Sequence, residues 1–229
     1  MRTLGIIGGI APGSTIDYYR LLIAAYRERT RDDSYPPILI NSIDLTRLLR
    51  LVGEDRLGEL VDWLVQEIER LARAGAEVGL LASNTPHLVF PDLARRSPIP
   101  LLSIVEAAAA ATEEQGIRTV GLLGTRFTME GRFYPEVFVR RGIAVQAPSS
   151  EDRNYIHDRY MRELISGDFR AETRARFLAV IERLRQEGAE GVLLAGTEIP
   201  LLLRDSPSAV PLLDTTRIHV VRAIAAMLD

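Results

Sequence analysis

The chain opens with TLGIIG at residues 3–8 and repeats it as TVGLLG at residues 119–124, and this pair decides the fold. Two further pairs follow in the same order, namely AEVGLLA (76–82) with AEGVLLA (189–195) and IPLL (99–102) with VPLL (210–213). Three matches at nearly constant spacing predict an internal duplication. Because there are only two copies, the duplication indicates paired domains and not a solenoid.

Each copy alternates short apolar strands with amphipathic helices. The predicted strands cover 3–8, 37–43, 77–82 and 100–103 in the first copy, and 118–124, 143–147, 190–195 and 210–214 in the second. Continuous apolar strands are typical of a parallel sheet that is buried on both faces. The helices predicted at 55–73 and 171–187 each carry one apolar stripe, and Gly75 and Gly188 follow them as stops.

This alternation predicts an α/β protein with two pseudo-symmetric Rossmann-like lobes, parallel sheets and a ligand cleft between the lobes. The N-terminal lobe is expected to comprise residues 1–103 plus 215–229, because the last helix, 215–228, is expected to cross back to it. The C-terminal lobe is expected to comprise 104–214.

Composition narrows the classes of function. The 229 residues are 47% hydrophobic and carry a net charge of −3, so no basic surface field is expected to attract nucleic acid or anionic lipid. The longest apolar runs are strand-length, which argues against a membrane partner. The N-terminus enters a strand directly and shows no secretory signal, so a cytoplasmic location is expected.

Two residue types are absent from the sequence, and each absence excludes particular catalytic or cofactor-binding groups. Without Cys the chain has no thiolate nucleophile, Fe–S cluster or Cys-ligated zinc site. Without Lys it has neither a pyridoxal phosphate Schiff base nor a P-loop. His87, His157 and His219 lie far apart and form no His-x-x-x-His pair. We therefore expect neither a cofactor nor a metal.

Four predicted strand ends carry small polar residues, and ligands of open parallel sheets bind beyond such ends. The first, GGIAPGST at 8–15, lacks the GxGxxG spacing of a dinucleotide site. A tight glycine turn before a helix capped by Ser14 or Thr15 explains it better than a ligand loop does.

The second strand end is SNTPH at 83–87. Thr85 is predicted as a helix N-cap and Pro86 as the first helical residue. Free backbone N–H groups and the helix dipole would favour an anion there. Capping explains Thr85 alone but leaves Ser83 and Asn84 unexplained, so a ligand site remains an equal alternative.

The remaining strand ends are GTRFTM at 124–129 and GTEIP at 196–200, the internal counterpart of the second. Pseudo-symmetry predicts that Ser83 and Gly196 face each other. Glu198 is either a first-turn acid that favours the helix dipole or a catalytic group. His157 opens a charged helix that is either a solvated face or a lid.

At these strand ends the chain resembles the cofactor-independent aspartate/glutamate racemase family, over essentially its whole length. The segments that carry the resemblance are GG and ST at 8–9 and 14–15, NTPH at 84–87, GTRFTME at 124–130 and GTEI at 196–199. In that family two cysteines, one after each central strand, stand on opposite faces of the substrate; one takes the α-proton and the other returns one. The resemblance implies that Asn84, Thr85, Thr125 and Thr197 hold the carboxylates.

The chain departs from the family at both cysteine positions, where it has Ser83 and Gly196. A serine hydroxyl is a poor base unless a neighbour activates it, and glycine has no side chain. The resemblance thus implies the scaffold and a carboxylate site, but not the two-thiol mechanism. Glu198 and His87 are the candidates for an assisting acid or base.

Three functions are compatible with these residues. The first is a PLP-independent, racemase-type isomerase of a small carboxylate or amino acid, with Ser83 nearest the reacting carbon. The second is a catalytically silent homologue that binds a carboxylated ligand. The third, from fold analogy, is a one-sided isomerase or decarboxylase. Because family members commonly dimerise, the resemblance implies a homodimer.

Overall fold

The computed structural model describes residues 1–31 and 33–229. These residues divide into two units: unit 1 comprises Met1–Ile104 and His219–Asp229, and unit 2 comprises Val105–Ile218. The strands are β1 Leu4–Gly8, β2 Ile38–Ser42, β3 Val78–Leu81, β4 Leu101–Leu102, β5 Thr119–Gly124, β6 Ala144–Gln146, β7 Gly191–Ala195 and β8 Leu212–Asp214.

Helices alternate with these strands. The α-helices are α1 Pro12–Thr30, α2 Leu45–Gly53, α3 Leu57–Arg73, α4 Phe90–Arg96, α5 Ile104–Glu114, α6 Arg126–Met129, α7 Phe133–Val139, α8 Ser150–Arg162, α9 Ala171–Gln186, α10 Ile199–Leu203 and α11 Thr215–Leu228. Two 3₁₀ helices cover Thr85–Val89 and Leu164–Ser166.

Both sheets are parallel and have the same strand order. The order is β2-β1-β3-β4 in unit 1 and β6-β5-β7-β8 in unit 2. All eight predicted strands are present, each within two residues of its predicted bounds. The prediction of two duplicated parallel α/β units is therefore confirmed.

Each sheet is covered by helices through continuous apolar contact. In unit 1, Leu4, Ile6 and Leu80 of the central strands pack with Tyr18 and Leu22 of α1. A second cluster forms the core of unit 2, and it includes Leu123, Val192 and Leu194 of the strands with Phe177 and Val180 of α9. Full burial of such a side chain stabilises the fold by about 1.5–3 kcal/mol, which explains why the central strands read as unbroken apolar runs.

The amphipathic helices follow the predicted stripes with small changes of bounds, and the helix predicted at 171–187 ends at Gln186. The helix predicted at 55–73 begins at Leu57 and is preceded by a separate helix, α2, whose N-cap Asp44 accepts a hydrogen bond from the Thr46 N–H at 2.8 Å. Gly75 and Gly188 have φ of 103° and 105°, the left-handed conformation that ends a helix at low cost in glycine.

The last helix, α11, has the predicted bounds. From His219 onward it belongs to unit 1, where Val220, Ala223 and Met227 join the apolar core. The Met227 carbonyl accepts a hydrogen bond from the Arg2 N–H at 2.8 Å. Across the described ranges 1–31 and 33–229, no helix is both long and apolar enough to cross a membrane.

Candidate functional site

In each unit the candidate residues follow the two central strands. In unit 1, β1 pairs with β3 through Ile7 and Leu81, and the Ala82 N–H donates to the Ile7 carbonyl at 2.9 Å. In unit 2, Gly124 of β5 pairs with Ala195 of β7. Between these strands the connections leave in opposite directions, and such a switch point is where parallel α/β sheets bind ligands.

The glycine turn after β1 is held by Thr15. Its Oγ1 accepts a hydrogen bond from the Gly9 N–H at 2.9 Å, while the Ser14 hydroxyl donates to the Ala11 carbonyl at 2.8 Å. The prediction that Ser14 or Thr15 caps the helix is wrong, since the N-cap of α1 is Ala11 and has no side-chain cap bond. The two hydroxyls lie inside the first turn, where they stabilise the loop instead.

Ser83 lies two residues beyond the buried end of β3. The residue is 7% exposed, and its carbonyl oxygen accepts a hydrogen bond from the His87 ring at 3.0 Å. Its hydroxyl has no hydrogen-bond partner among the residues that the structure describes. A hydroxyl without a protein partner, on a residue that is nearly buried, leaves a donor and an acceptor for a ligand.

Asn84 and Thr85 are buried beside Ser83. The sequence predicted Thr85 as the N-cap and Pro86 as the first helical residue, and both predictions are wrong. Thr85 is the first residue of the 3₁₀ helix, and Asn84 occupies the N-cap position without a side-chain cap bond. The tight turn begins one residue earlier, which the Pro86 signal alone did not reveal.

His87 is buried, and both of its ring nitrogens are engaged. Nε2 accepts a hydrogen bond from the Ile104 N–H at 3.2 Å, so Nδ1 carries the proton and donates it to the Ser83 carbonyl. Burial, together with nearby His219, lowers the pKa of His87 to about 3. A neutral ring with these partners fixes the backbone at Ser83, and the ring stacks on Phe90 at 4.8 Å.

In unit 2, Thr125 caps the short helix after β5. Its side chain accepts a hydrogen bond from the Thr128 N–H at 3.3 Å, and the two threonine hydroxyls lie 3.2 Å apart. His157 on α8 lies nearby and is half-buried; its Nδ1 accepts from the Arg126 N–H at 3.3 Å. Burial and the Arg126 charge lower the pKa of His157.

Glu198 is 2% exposed at the turn after β7. Its Oε2 accepts hydrogen bonds from the Tyr160 hydroxyl and, at 3.0 Å, from the Thr197 hydroxyl. Glu198 occupies the N-cap position of α10, one residue before its first turn. Its carboxyl group is thus held by two neighbouring hydroxyls, an arrangement that a solvated first-turn acid would not have.

Tyr160 is the residue that sequence reasoning missed. It projects from α8, 36 positions before Gly196, and no motif links the two positions. If Gly196 carried a Cβ, that atom would lie 2.6 Å from Tyr160 Cε2. The only available signal was a glycine where the resembled family has a side chain.

The predicted site residues thus form two groups. Ser83, Asn84, Thr85 and His87 lie together in unit 1, and Thr125, Gly196, Thr197 and Glu198 lie in unit 2. No cluster of three or more His, Asp or Glu side chains suited to a metal occurs in the part of the chain that the structure describes.

The fold and these groups define a class: duplicated parallel α/β proteins with polar side chains after the central strands of each sheet. The family model for Asp/Glu/Hydantoin racemase matches residues 7–223. The chain therefore belongs to the Asp/Glu/Hydantoin racemase family.

Solved structures and a curated relative agree with this assignment. A candidate Asp/Glu racemase from Yersinia pestis is 33% identical with a TM-score of 0.90, and an aspartate racemase homologue from Pyrococcus horikoshii OT3 is 33% identical with a TM-score of 0.83; both matches cover 100% of each chain. The glutamate racemase of Thermus thermophilus is 41% identical over 66 residues, which is 28% of this chain and 25% of that protein.

Proposed function

We propose that this protein is a PLP-independent, racemase-type isomerase that acts on the α-carbon of a small carboxylate or amino acid. The observation that carries the proposal is the hydroxyl of Ser83, a nearly buried residue just beyond a central strand, which has no partner among the described residues. Since aspartate and glutamate are named for the relatives, these dicarboxylic amino acids are the first substrates to test.

In this proposal the carboxylates of the ligand are held by neutral donors. Asn84 and Thr85 of unit 1 and Thr125 and Thr197 of unit 2 supply an amide and three hydroxyls. Neutral hydrogen bonds of this kind fix orientation without the strong field of an arginine fork. The predicted homodimer is also part of the proposal, and light scattering would test it.

The proton chemistry in this proposal is carried by Ser83 and Glu198. His87 is assigned a supporting role, because its ring nitrogens already bind the Ser83 carbonyl and the Ile104 N–H. A serine hydroxyl beside a neutral, engaged imidazole is a weaker base than a thiolate. Exchange of the α-proton should therefore be slow and faster on one face of the carbon than on the other.

The test is deuterium uptake at the α-carbon of D- and L-aspartate and D- and L-glutamate in heavy water, with circular dichroism for inversion. Ser83→Ala removes only the hydroxyl and should lower exchange about 100-fold or more. Ser83→Cys restores an acidic proton carrier and should raise it. Unchanged exchange in Ser83→Ala, on protein shown to be folded, would remove Ser83 from the reaction.

A catalytically silent carboxylate-binding protein is the second candidate. It is favoured by one observation: both thiol positions of the family are replaced, by Ser83 and Gly196. A ligand at about one hundred times its Kd adds about 2.7 kcal/mol to stability. Thermal stabilisation by aspartate or glutamate with no deuterium uptake would identify this function.

A further inference from the structure

The space beside Gly196 is filled by the ring of Tyr160. A Cβ at position 196 would lie 2.6 Å from Tyr160 Cε2, 3.3 Å from its Cζ and 3.2 Å from Ile199 Cδ1. Carbon atoms in favourable contact are about 3.5–4.0 Å apart. Any side chain at 196 would therefore require the ring to move.

The ring belongs to the apolar core of unit 2. Tyr160 is 6% exposed and belongs to the same apolar cluster as Ile156, Leu164 and Ile199. At its far end the hydroxyl donates a hydrogen bond to Glu198. Because packing and hydrogen bond both fix the ring, its place beside Gly196 is a built feature of the unit.

The hydroxyl of Tyr160 acts as a donor. Burial, followed by the adjacent charge of Glu198, raises the pKa of Tyr160 well above its ordinary value. The phenol therefore keeps its proton and donates it to the carboxyl group of Glu198, which also accepts from Thr197 at 3.0 Å.

Building on the proposed function, we propose that Tyr160 takes the place of the missing side chain at position 196 and positions Glu198 as the proton carrier of unit 2. As a carboxylate, Glu198 takes the α-proton and becomes a carboxylic acid, while the electron pair of the C–H bond stays on the ligand as an enolate. Return of a proton from Glu198 or solvent reverses the step. No oxidant, reductant or metal is needed.

The first test is a double-mutant cycle on α-proton exchange of aspartate and glutamate. Glu198→Gln should lower the rate about 100-fold, and Tyr160→Phe, which keeps the ring, should lower it about tenfold. If Tyr160 acts through Glu198, the double variant should be no slower than Glu198→Gln alone. Multiplying losses would overturn the positioning role.

The pH dependence of α-proton exchange distinguishes a positioning role of Tyr160 from a purely packing role. A hydroxyl that donates to a carboxylate stabilises its charged form, so Tyr160→Phe should move the rising limb of the exchange rate to higher pH. Tyr155→Phe is the matched control, because Tyr155 lies on the same helix and packs against the same core without a bond to Glu198. An unshifted limb in Tyr160→Phe would contradict the proposal.

The second test needs no activity. Gly196→Ala should lower the melting temperature by about 5 °C through overpacking. The same change should cost clearly less in a Tyr160→Leu background, because leucine lacks the two ring atoms that a Cβ would meet. Gly58→Ala, with no atom within 4 Å of its Cβ, is the control. An equal loss in both backgrounds would show that Tyr160 does not fill this space.

The two proposals fail in different ways. If the unmodified protein exchanges none of the four amino acids, the proposed function is wrong and Glu198 is not a proton carrier, while the melting temperatures still decide whether Tyr160 fills position 196. If it exchanges them and Glu198→Gln has no effect, the isomerase survives and the inference about Tyr160 and Glu198 is overturned.

Discussion

The turn after β3 in unit 1 and the turn after β7 in unit 2 hold the same position in their sheets but are supported differently. In unit 1 the turn begins with a side chain, Ser83, and His87 of the same turn binds its carbonyl. In unit 2 it begins with Gly196, and the supporting group, Tyr160, comes from α8, a helix that is distant in sequence.

This difference indicates that the sheet fixes the position of the candidate site, whereas the elements packed against the sheet contribute its side chains. Strand order and register put residues 83 and 196 directly beyond the central strands. What fills the space there depends on which helix packs against it. The ring of Tyr160 occupies the space at position 196, and in our proposal the carboxyl group that it binds supplies the proton chemistry there.

The largest expected effect is acid destabilisation of unit 1. Burial lowers the pKa of His87 to about 3 and that of His219 to about 4, whereas unfolded histidine titrates near 6.5. Below about pH 6.5 the unfolded state takes up protons that the folded state does not, so stability falls with pH. Two histidines should cost about 5 kcal/mol between pH 6.5 and 4.5.

Hydrogen exchange by mass spectrometry at pH 7 and 4.5, corrected for intrinsic rates, checks this unit by unit. Peptides covering β1 and β3 should lose more protection than peptides covering β5 and β7. His219→Gln, which keeps a donor for the Leu102 carbonyl that His219 binds at 3.1 Å, should remove about half of the difference. Equal loss in both units would refute the prediction.

Glycines at equivalent strand ends should differ in their tolerance of a methyl group. A Cβ at Gly8 would lie 2.5 Å from Thr15 Cγ2, whereas one at Gly124 would lie 2.7 Å from the backbone oxygen of Ala195. We expect Gly124→Ala to cost about 3 kcal/mol and Gly8→Ala about 2 kcal/mol. Denaturant unfolding measures both.

A second substitution in each glycine variant tests which contact causes the loss of stability. Thr15→Ser removes the Cγ2 atom but keeps the hydroxyl that accepts from Gly9, so it should relieve Gly8→Ala. Thr128→Ser should not relieve Gly124→Ala, because the carbonyl oxygen of Ala195 remains. Rescue in both units would show that the backbone contact is unimportant.

The candidate carboxylate-binding threonines should also differ. Thr125→Ala removes the N-cap of α6 and should cost about 1 kcal/mol, while Thr125→Ser should retain it. Thr85→Ala removes no cap, since the 3₁₀ helix begins without a side-chain cap bond. Urea unfolding gives the stabilities, and aspartate binding is then compared among the folded variants; a loss in Thr125→Ser as large as in Thr125→Ala would exclude capping as the cause.

The smallest expected effect is a gain in stability. Gly58 lies in the first turn of α3, and a Cβ there would meet no atom within 4 Å. Gly58→Ala should stabilise the protein by about 0.5–1 kcal/mol, because alanine loses less backbone entropy in a helix. A loss of stability in thermal unfolding would contradict the open surroundings that make Gly58→Ala the control for Gly196→Ala.

Much of the fold was predictable because it depends on patterns that repeat along the chain. The apolar runs of β1 and β5 predicted buried strands, and the repeat predicted two sheets of one topology. Helix starts were harder to place. The N-caps of α1 and of the turn at Thr85 were misassigned, because a threonine or serine inside a first turn and one at its cap have the same local sequence.

For the candidate site, sequence alone determined which residues follow the central strands, since strand ends can be recognised locally. Only the tertiary structure decided their chemical state: His87 is neutral and engaged, Ser83 keeps an unpartnered hydroxyl among the described residues, and Tyr160 fills the space at Gly196. Burial and hydrogen bonding arise from residues far apart in the chain, and no local pattern encodes which helix will bring a phenol to a glycine 36 positions later.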